Sequence, residues 1–252
     1  MKESSGLYAR VLLLNPVEER GYISYAEDLF ALAKLQEKPL PRERMLDRAT
    51  HLLSQAQVLA PYKYEIVADL ALVYCWWATV TTDPMTMTAR GRISDKYYEQ
   101  VLALSPNHVN FWTERAFLNI RVLNNSQAAE RYLLRAIQLD PEYSWPHKIA
   151  GDHYYLLGKA AADPEVAAVA FKKSVFQYGE ALRTRKKDDQ VSRSECDLGI
   201  GRVLAETGKT SDAIIRVGKA YRGAAEKDKP GIRKFLDSLE RNPAPDDKGG
   251  EQ

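Results

Sequence analysis

Four stretches of the chain repeat one hydrophobic pattern, an apolar run that stops at a proline. They are Leu12-Leu13-Leu14-Asn15-Pro16, Val58-Leu59-Ala60-Pro61, Ala103-Leu104-Ser105-Pro106 and Gln138-Leu139-Asp140-Pro141. Proline cannot continue a helix, so each stretch predicts a helix end. The prolines stand 45, 45 and 35 residues apart. A recurrence of that length predicts a repeat architecture rather than one closed domain.

Small and aromatic residues recur at matching offsets between the prolines. His147, Ala150, Gly151 and Tyr154 follow Pro141, with Gly158 where a turn between paired helices is expected. Trp112 and Ala116 follow Pro106, and Ala129, Leu133 and Ala136 come after the interruption at Asn124-Asn125. Ile200, Gly201, Leu204, Gly208, Ala213, Val217 and Ala220 form another such set. Tyr22, Tyr25, Ala26 and Leu29 with Ala49, Leu53 and Ala56, and Val67, Leu70, Ala71 and Tyr74 with Ser94, Tyr98 and Val101, are looser versions. Their turns are expected at Lys38-Pro39-Leu40-Pro41 and Thr82-Asp83-Pro84. The set resembles the tetratricopeptide repeat (TPR) family, with its W-x2-L-G-x2-Y and A-x3-F pattern and closing proline, from roughly Tyr8 to Asp228. The family period is about 34 residues. The two longer intervals exceed it by about eleven residues, close to three helical turns, which lengthens a helix pair with little rotation of its apolar face.

The resemblance implies an all-α fold, an α-α superhelix in the form of a right-handed TPR-like solenoid of antiparallel helix pairs. Over 1–241 it would hold a half repeat at 7–16, repeats at about 19–61, 64–106, 109–141, 144–186 and 194–227, and a capping helix at 230–241. The span 242–252, rich in proline and glycine, reads as a disordered tail. Ala26, Ala71, Ala116, Gly151 and Gly201 are expected where two helix backbones approach closely. The start within a half repeat, with no polar cap, reads as the tail of a longer protein or a first helix that docks on something. The phrase Tyr97 to Asn107 with Trp112, and Leu139 to Tyr143, are similar to the C-terminal repeats of some bacterial O-antigen ligase or polymerase-type membrane proteins. The catalytic membrane part of that family has no counterpart here. The expected localisation is cytoplasmic for a complete chain and membrane-associated for a fragment, tethered to a membrane protein.

Charge narrows the partners. Lys plus Arg number 36 against 34 Asp plus Glu, so no large positive field is available to hold nucleic acid or an anionic bilayer. Cys75 and Cys196 lie outside any C-x-x-C arrangement. Neither a secretory signal nor a run of about 18 apolar residues is present. His147 and His153 are six apart and face different ways on a helix; His147 is expected to replace the packing Trp of the family. Gly199-x-Gly201 with Gly208 lacks the preceding strand of a dinucleotide loop and reads as close helix packing. Arg183-x-Arg185-Lys186-Lys187, followed by Asp188-Asp189, reads as a solvated turn. No nucleophile-elbow, zincin or phosphate-loop motif occurs. Neither an enzyme activity, a cofactor nor a metal is expected.

What remains is binding of a protein or peptide. In the family, the inner, concave face comes from the first helix of each pair. Carried onto this chain, the candidate partner-binding residues are Arg20, Phe30 and Trp76, then Asn110, Phe117 and Arg121, then Trp145, Lys148, Asp152 and Tyr155. Glu27, Leu72 and Cys75 share that lining. Aromatic anchors flanked by charges are the usual furniture of a peptide groove. The Lys and Asn of the family's carboxylate clamp are replaced by Ile23 and Glu27, then Ala68 and Leu72, so a terminal carboxylate is not the expected ligand.

Overall fold

The computed structural model describes residues 7–185 and 191–241, apart from 9 and 11. The proposed tail at 242–252, and Lys186 to Asp189 of the charged connector, lie outside the described residues. The described residues are helical with no strand. No described helix is long and apolar enough to cross a membrane.

The chain divides between Ala129 and Glu130 into two compact units. The first contains α1 (Glu19–Leu35), α2 (Pro39–Leu59), α3 (Tyr64–Thr79), α4 (Pro84–Leu104) and α5 (Val109–Arg121). The division falls within α6 (Ser126–Leu139), and the second unit continues with α7 (Ser144–Ala160), α8 (Pro164–Thr184), α9 (Arg193–Glu206), α10 (Thr210–Gly223) and α11 (Lys229–Arg241). Neighbours in sequence pack as hairpins: α1 with α2, α3 with α4, α7 with α8, and α9 with α10. The fold is thus an all-α repeat of antiparallel helix pairs.

The closing prolines act alike at all four places. Each is the second residue of a tight turn in which Glu18, Lys63, His108 or Tyr143 donates its N–H to the carbonyl of Asn15, Ala60, Ser105 or Asp140, at 3.2–3.3 Å. Proline suits that position because its ring presets φ. Six residues beyond three of these prolines, the next helix ties back to the proline carbonyl: Tyr22 to Pro16 at 3.1 Å, Trp112 to Pro106 at 2.8 Å and a ring nitrogen of His147 to Pro141 at 3.1 Å. His147 therefore takes the place that Trp112 holds after Pro106 in hydrogen bonding to the proline carbonyl, while its other ring nitrogen meets Gln177 at 2.8 Å. In the remaining repeat Val67 stands there and supplies only apolar contact.

The turns inside the hairpins sit differently from the expectation. Gly158 is not a turn residue: it is buried within α7, and a side chain there would meet the Phe171 ring at 2.6 Å. The helix continues to Ala160, and Asp163 caps α8 by accepting from the Glu165 N–H at 2.8 Å. Asp83 does the same for α4, accepting from Thr86 at 2.8 Å. Pro39, Pro84 and Pro164 then begin their helices, in the first turn, where the missing N–H would have had no partner. Pro39 to Pro41 thus belong to α2 rather than to the turn before it. Ser192 and Glu195 form a reciprocal capping box on α9, and Gly208, with φ +76°, ends it in a conformation that favours glycine.

In the first unit, Ala26, Phe30, Leu46, Leu53, Ile66, Leu70 and Trp77 form one core and Val67, Ala71, Tyr98, Phe111 and Leu118 another. The two are stapled by Glu43, which accepts from both Arg90 Nη atoms, at 2.6 and 3.1 Å, and from Trp77 Nε1 at 2.8 Å. The Arg90 guanidinium lies 3.9 Å above the Trp77 ring. In the second unit Tyr178 is the central wedge: side chains at Gly151 of α7 and Gly199 of α9 would both collide with its ring. Here Gly199 serves close packing, and Gly201 does the same against Val217 at 2.7 Å.

Candidate interaction surface

In the first unit the residues expected to line a partner site lie on α1, α3 and α5. On α3, Glu65, Asp69, Leu72 and Trp76 recur at the spacing that puts them along one helix face. Leu72 is 38% exposed, and Trp76 is half-buried with its ring edge-on to Phe30 of α1 at 5.8 Å. Lys34 lies over the same Phe30 ring at 4.3 Å. Phe30 is itself buried, so Trp76 and Leu72, not Phe30, offer apolar surface to a ligand.

Two carboxyls that the sequence did not single out complete this face. Burial pushes the Asp69 carboxyl up to about 6, and the carboxylates of Glu27 and Glu65 add to it. Among the described residues no cation pairs with Asp69. Burial also pushes Glu114 of α5 up to about 7, against the hydrogen bond it accepts from the Tyr98 hydroxyl at 3.1 Å, and Asp69 contributes. A legible signal did exist: Glu65 and Asp69 are the only charged residues of α3, an otherwise apolar helix. Phe117 packs against the Tyr98 core, Asn110 is half-buried, and Arg20 and Arg121 are exposed; the structure does not gather these four around Trp76.

The second unit treats its candidate polar residues differently. Lys148 pairs with Asp152 at 3.0 Å, and the Tyr178 hydroxyl donates to the other Asp152 oxygen at 2.6 Å. Tyr155 donates to Glu206 at 3.3 Å, and Lys159 donates to the same oxygen at 2.8 Å. Trp145 is half-buried beside Tyr143, with ring centroids 6.5 Å apart. Lys148, Asp152 and Tyr155 are thus brought together, but their polar atoms are occupied by one another and by α8 and α9.

Reactive chemistry is weak on both faces. Burial pushes the Cys75 and Cys196 thiols up to about 12, which leaves neither as a thiolate at neutral pH. His153 is buried, with its Nε2 unbonded, and burial lowers its pKa. Among the described residues no three His, Cys, Asp or Glu side chains are placed to hold a metal ion.

Helix hairpins repeated along the chain define a TPR-like fold, and solved structures agree. The TPR protein TTC0263 of Thermus thermophilus superposes with a TM-score of 0.59 at 16% identity, over 89% of this chain and 100% of that one. PilW, a type IV pilus biogenesis factor, gives 0.65 at 15% identity, over 93% and 90%. YrrB, a TPR protein with an unusual peptide-binding site, gives 0.53 at 13% identity, over 91% and 97%. Neither a protein-family model nor a curated protein matches the chain.

Proposed function

We propose that this chain is a non-enzymatic interaction scaffold whose first unit docks a peptide carrying an apolar or aromatic residue close to a Lys or Arg. The observation that carries this reading is the α3 face, where exposed Leu72 and half-exposed Trp76 continue a line begun by Glu65 and Asp69, the latter with no cation beside it among the described residues. A carboxyl held partly protonated by burial and by its acidic neighbours gains a favourable partner when a cation arrives. The adjacent indole and leucine offer a rigid apolar anchor site. The second unit's candidate polar groups are satisfied internally, so binding there would first have to break those pairs. The likeness to YrrB and PilW is a likeness of fold, and the ligand chemistry rests on this chain's own residues. The reading as an accessory domain of an O-antigen ligase or polymerase rests on the sequence phrases near Pro106 and Pro141 alone.

The test is a random peptide library displayed on phage and selected on the full chain, followed by calorimetry with a selected peptide. The expected consensus pairs a basic residue with an apolar one. Trp76→Ala and Asp69→Asn should each weaken that peptide by about tenfold or more, with Tyr155→Ala close to neutral. Acidic consensus peptides, or a peptide indifferent to both α3 substitutions, would refute the proposal.

A further inference from the structure

Helix α8 is buried along one side, through Phe171, Ser174, Tyr178 and Ala181, and open along another. Val166, Val169 and Phe176 are 56%, 59% and 62% exposed, and the Lys173 side chain is 53% exposed between them. At about 100° per residue these four fall within one narrow stripe of the helix. An open groove of about 660 Å³ runs beside the first half of the stripe, walled by Leu157, Ala160 and Ala161 and by Val166, Val169 and Ala170. None of these residues belongs to the α3 face, so the inference does not depend on the peptide reading.

The charges along α8 identify the occupant. Asp163 and Glu165 precede Val169, and Lys172 and Lys173 follow it. Glu165 has no cationic partner among the described residues. Among the described residues Lys173 is held by Glu130 at 3.9 Å, a largely exposed pair of the weak kind, and by the half-buried Tyr154 ring at 4.9 Å. A sequence that is acidic before its midpoint and basic after it complements its own reverse. An anionic bilayer or a uniformly charged partner would oppose one half of the stripe.

We propose that this face docks a second copy of the chain, with the two α8 helices antiparallel about a two-fold axis near Val169. In that register Glu165 of each copy faces Lys173 of the other, and Val169 packs on its counterpart. Phe176, about 10 Å along the helix from the axis, arrives level with Ala162 of the partner, next to Ala161 at the end of the groove. The interface is isologous, so one set of residues supplies both halves, as closed two-fold dimers require.

The experiment is sedimentation equilibrium of the full chain from about 1 to 100 µM, a range that brackets micromolar association. The wild type is expected to dimerise. Phe176→Glu and Val169→Glu should each give monomers with unchanged circular dichroism, since both side chains are exposed in the single copy. Glu165→Lys and Lys173→Glu should each weaken the dimer by about tenfold, and the double variant should recover most of the loss, a rescue that lost folding cannot mimic. A wild type that stays monomeric throughout, a dimer that survives Phe176→Glu, or a double variant no tighter than its parents would each overturn the proposal. The first of these would leave the groove to an apolar segment of another protein.

Discussion

In the α3–α4 hairpin of the first unit, Ser94 donates to the carbonyl of Ala71, 23 residues back, at 2.7 Å; in the α7–α8 hairpin of the second, Ser174 donates to Gly151, also 23 residues back, at 2.8 Å. Each hairpin then buries a tyrosine one turn further on, Tyr98 or Tyr178. The shared scaffold ends at those hydroxyls. Tyr98 reaches a carboxyl on the following helix, Glu114, with no cation bonded to it among the described residues, whereas Tyr178 reaches Asp152 on its own partner helix, already paired with Lys148. The same backbone plan therefore carries a frustrated acidic face in one unit and a satisfied one in the other. Natural sequences tend to leave such frustration where a ligand will relieve it.

The strongest way to probe the comparison is to remove the tyrosines. Tyr98→Ala and Tyr178→Ala should each cost about 3 to 5 kcal/mol, the usual loss for truncating a buried aromatic. Amide hydrogen exchange should show the loosening confined to α3–α5 in the first case and α7–α9 in the second. Spreading of either effect through both units would show that they unfold as one.

The Arg90 staple comes next and belongs to the first unit alone. Arg90→Ala leaves Glu43 with only the Trp77 donor and should cost about 1 to 3 kcal/mol in urea denaturation. In the native protein the hydrogen bonds from Arg90 and Trp77 overcome burial and hold the Glu43 carboxyl below its usual range. That contribution is present at neutral pH and is lost as pH falls through the carboxylate range.

Asp69 and Glu114 have the opposite sign. Their folded pKa values lie above the unfolded ones, so the folded state holds extra protons, and the stability they confer is full below about pH 4 and lost as pH rises through about 6 and 7. Asp69→Asn, which removes the charge and keeps the shape, should raise stability by about 1 to 2 kcal/mol at pH 8 and change little at pH 3. Equal urea midpoint shifts at the two pH values would remove the electrostatic explanation. The same substitution should weaken the peptide, so the two measurements must move in opposite directions.

The smallest effect is expected in the second unit. Lys148→Ala breaks a partly exposed pair one helical turn long and should cost only about 0.3 to 1 kcal/mol, because Asp152 keeps its bond from Tyr178. A larger loss would mean that the satisfied face is less self-sufficient than its geometry indicates.

Much of the scaffold was legible beforehand because proline acts locally. The four Pro turns follow from a fixed φ and a missing N–H, whatever surrounds them. The small residues at Ala71, Gly151 and Gly201 were legible for a related reason: their recurrence at repeat offsets marks close backbone approach. Gly158 was misread because glycine serves both turns and tight packing, and only the Phe171 ring lying against it decides between them. Trp76 was found by register, but the inner-face residues of the second unit looked equally available, since a sequence does not reveal that Lys148, Asp152 and Tyr178 consume one another.

The existence of repeats and the helix ends at the four closing prolines were thus determined by the sequence itself, through interactions spanning a few residues. Tertiary structure decided which charges are neutralised and which apolar residues remain outside. The Asp69 pKa is raised by burial and by carboxylates from α1 and its own helix, and that of Glu114 by burial and by Asp69 of α3. The stripe on α8 stays open because that helix packs through Phe171, Ser174, Tyr178 and Ala181, which lie on another side. Burial and Coulomb interaction depend on distance in space, and separation along the chain carries almost no information about either.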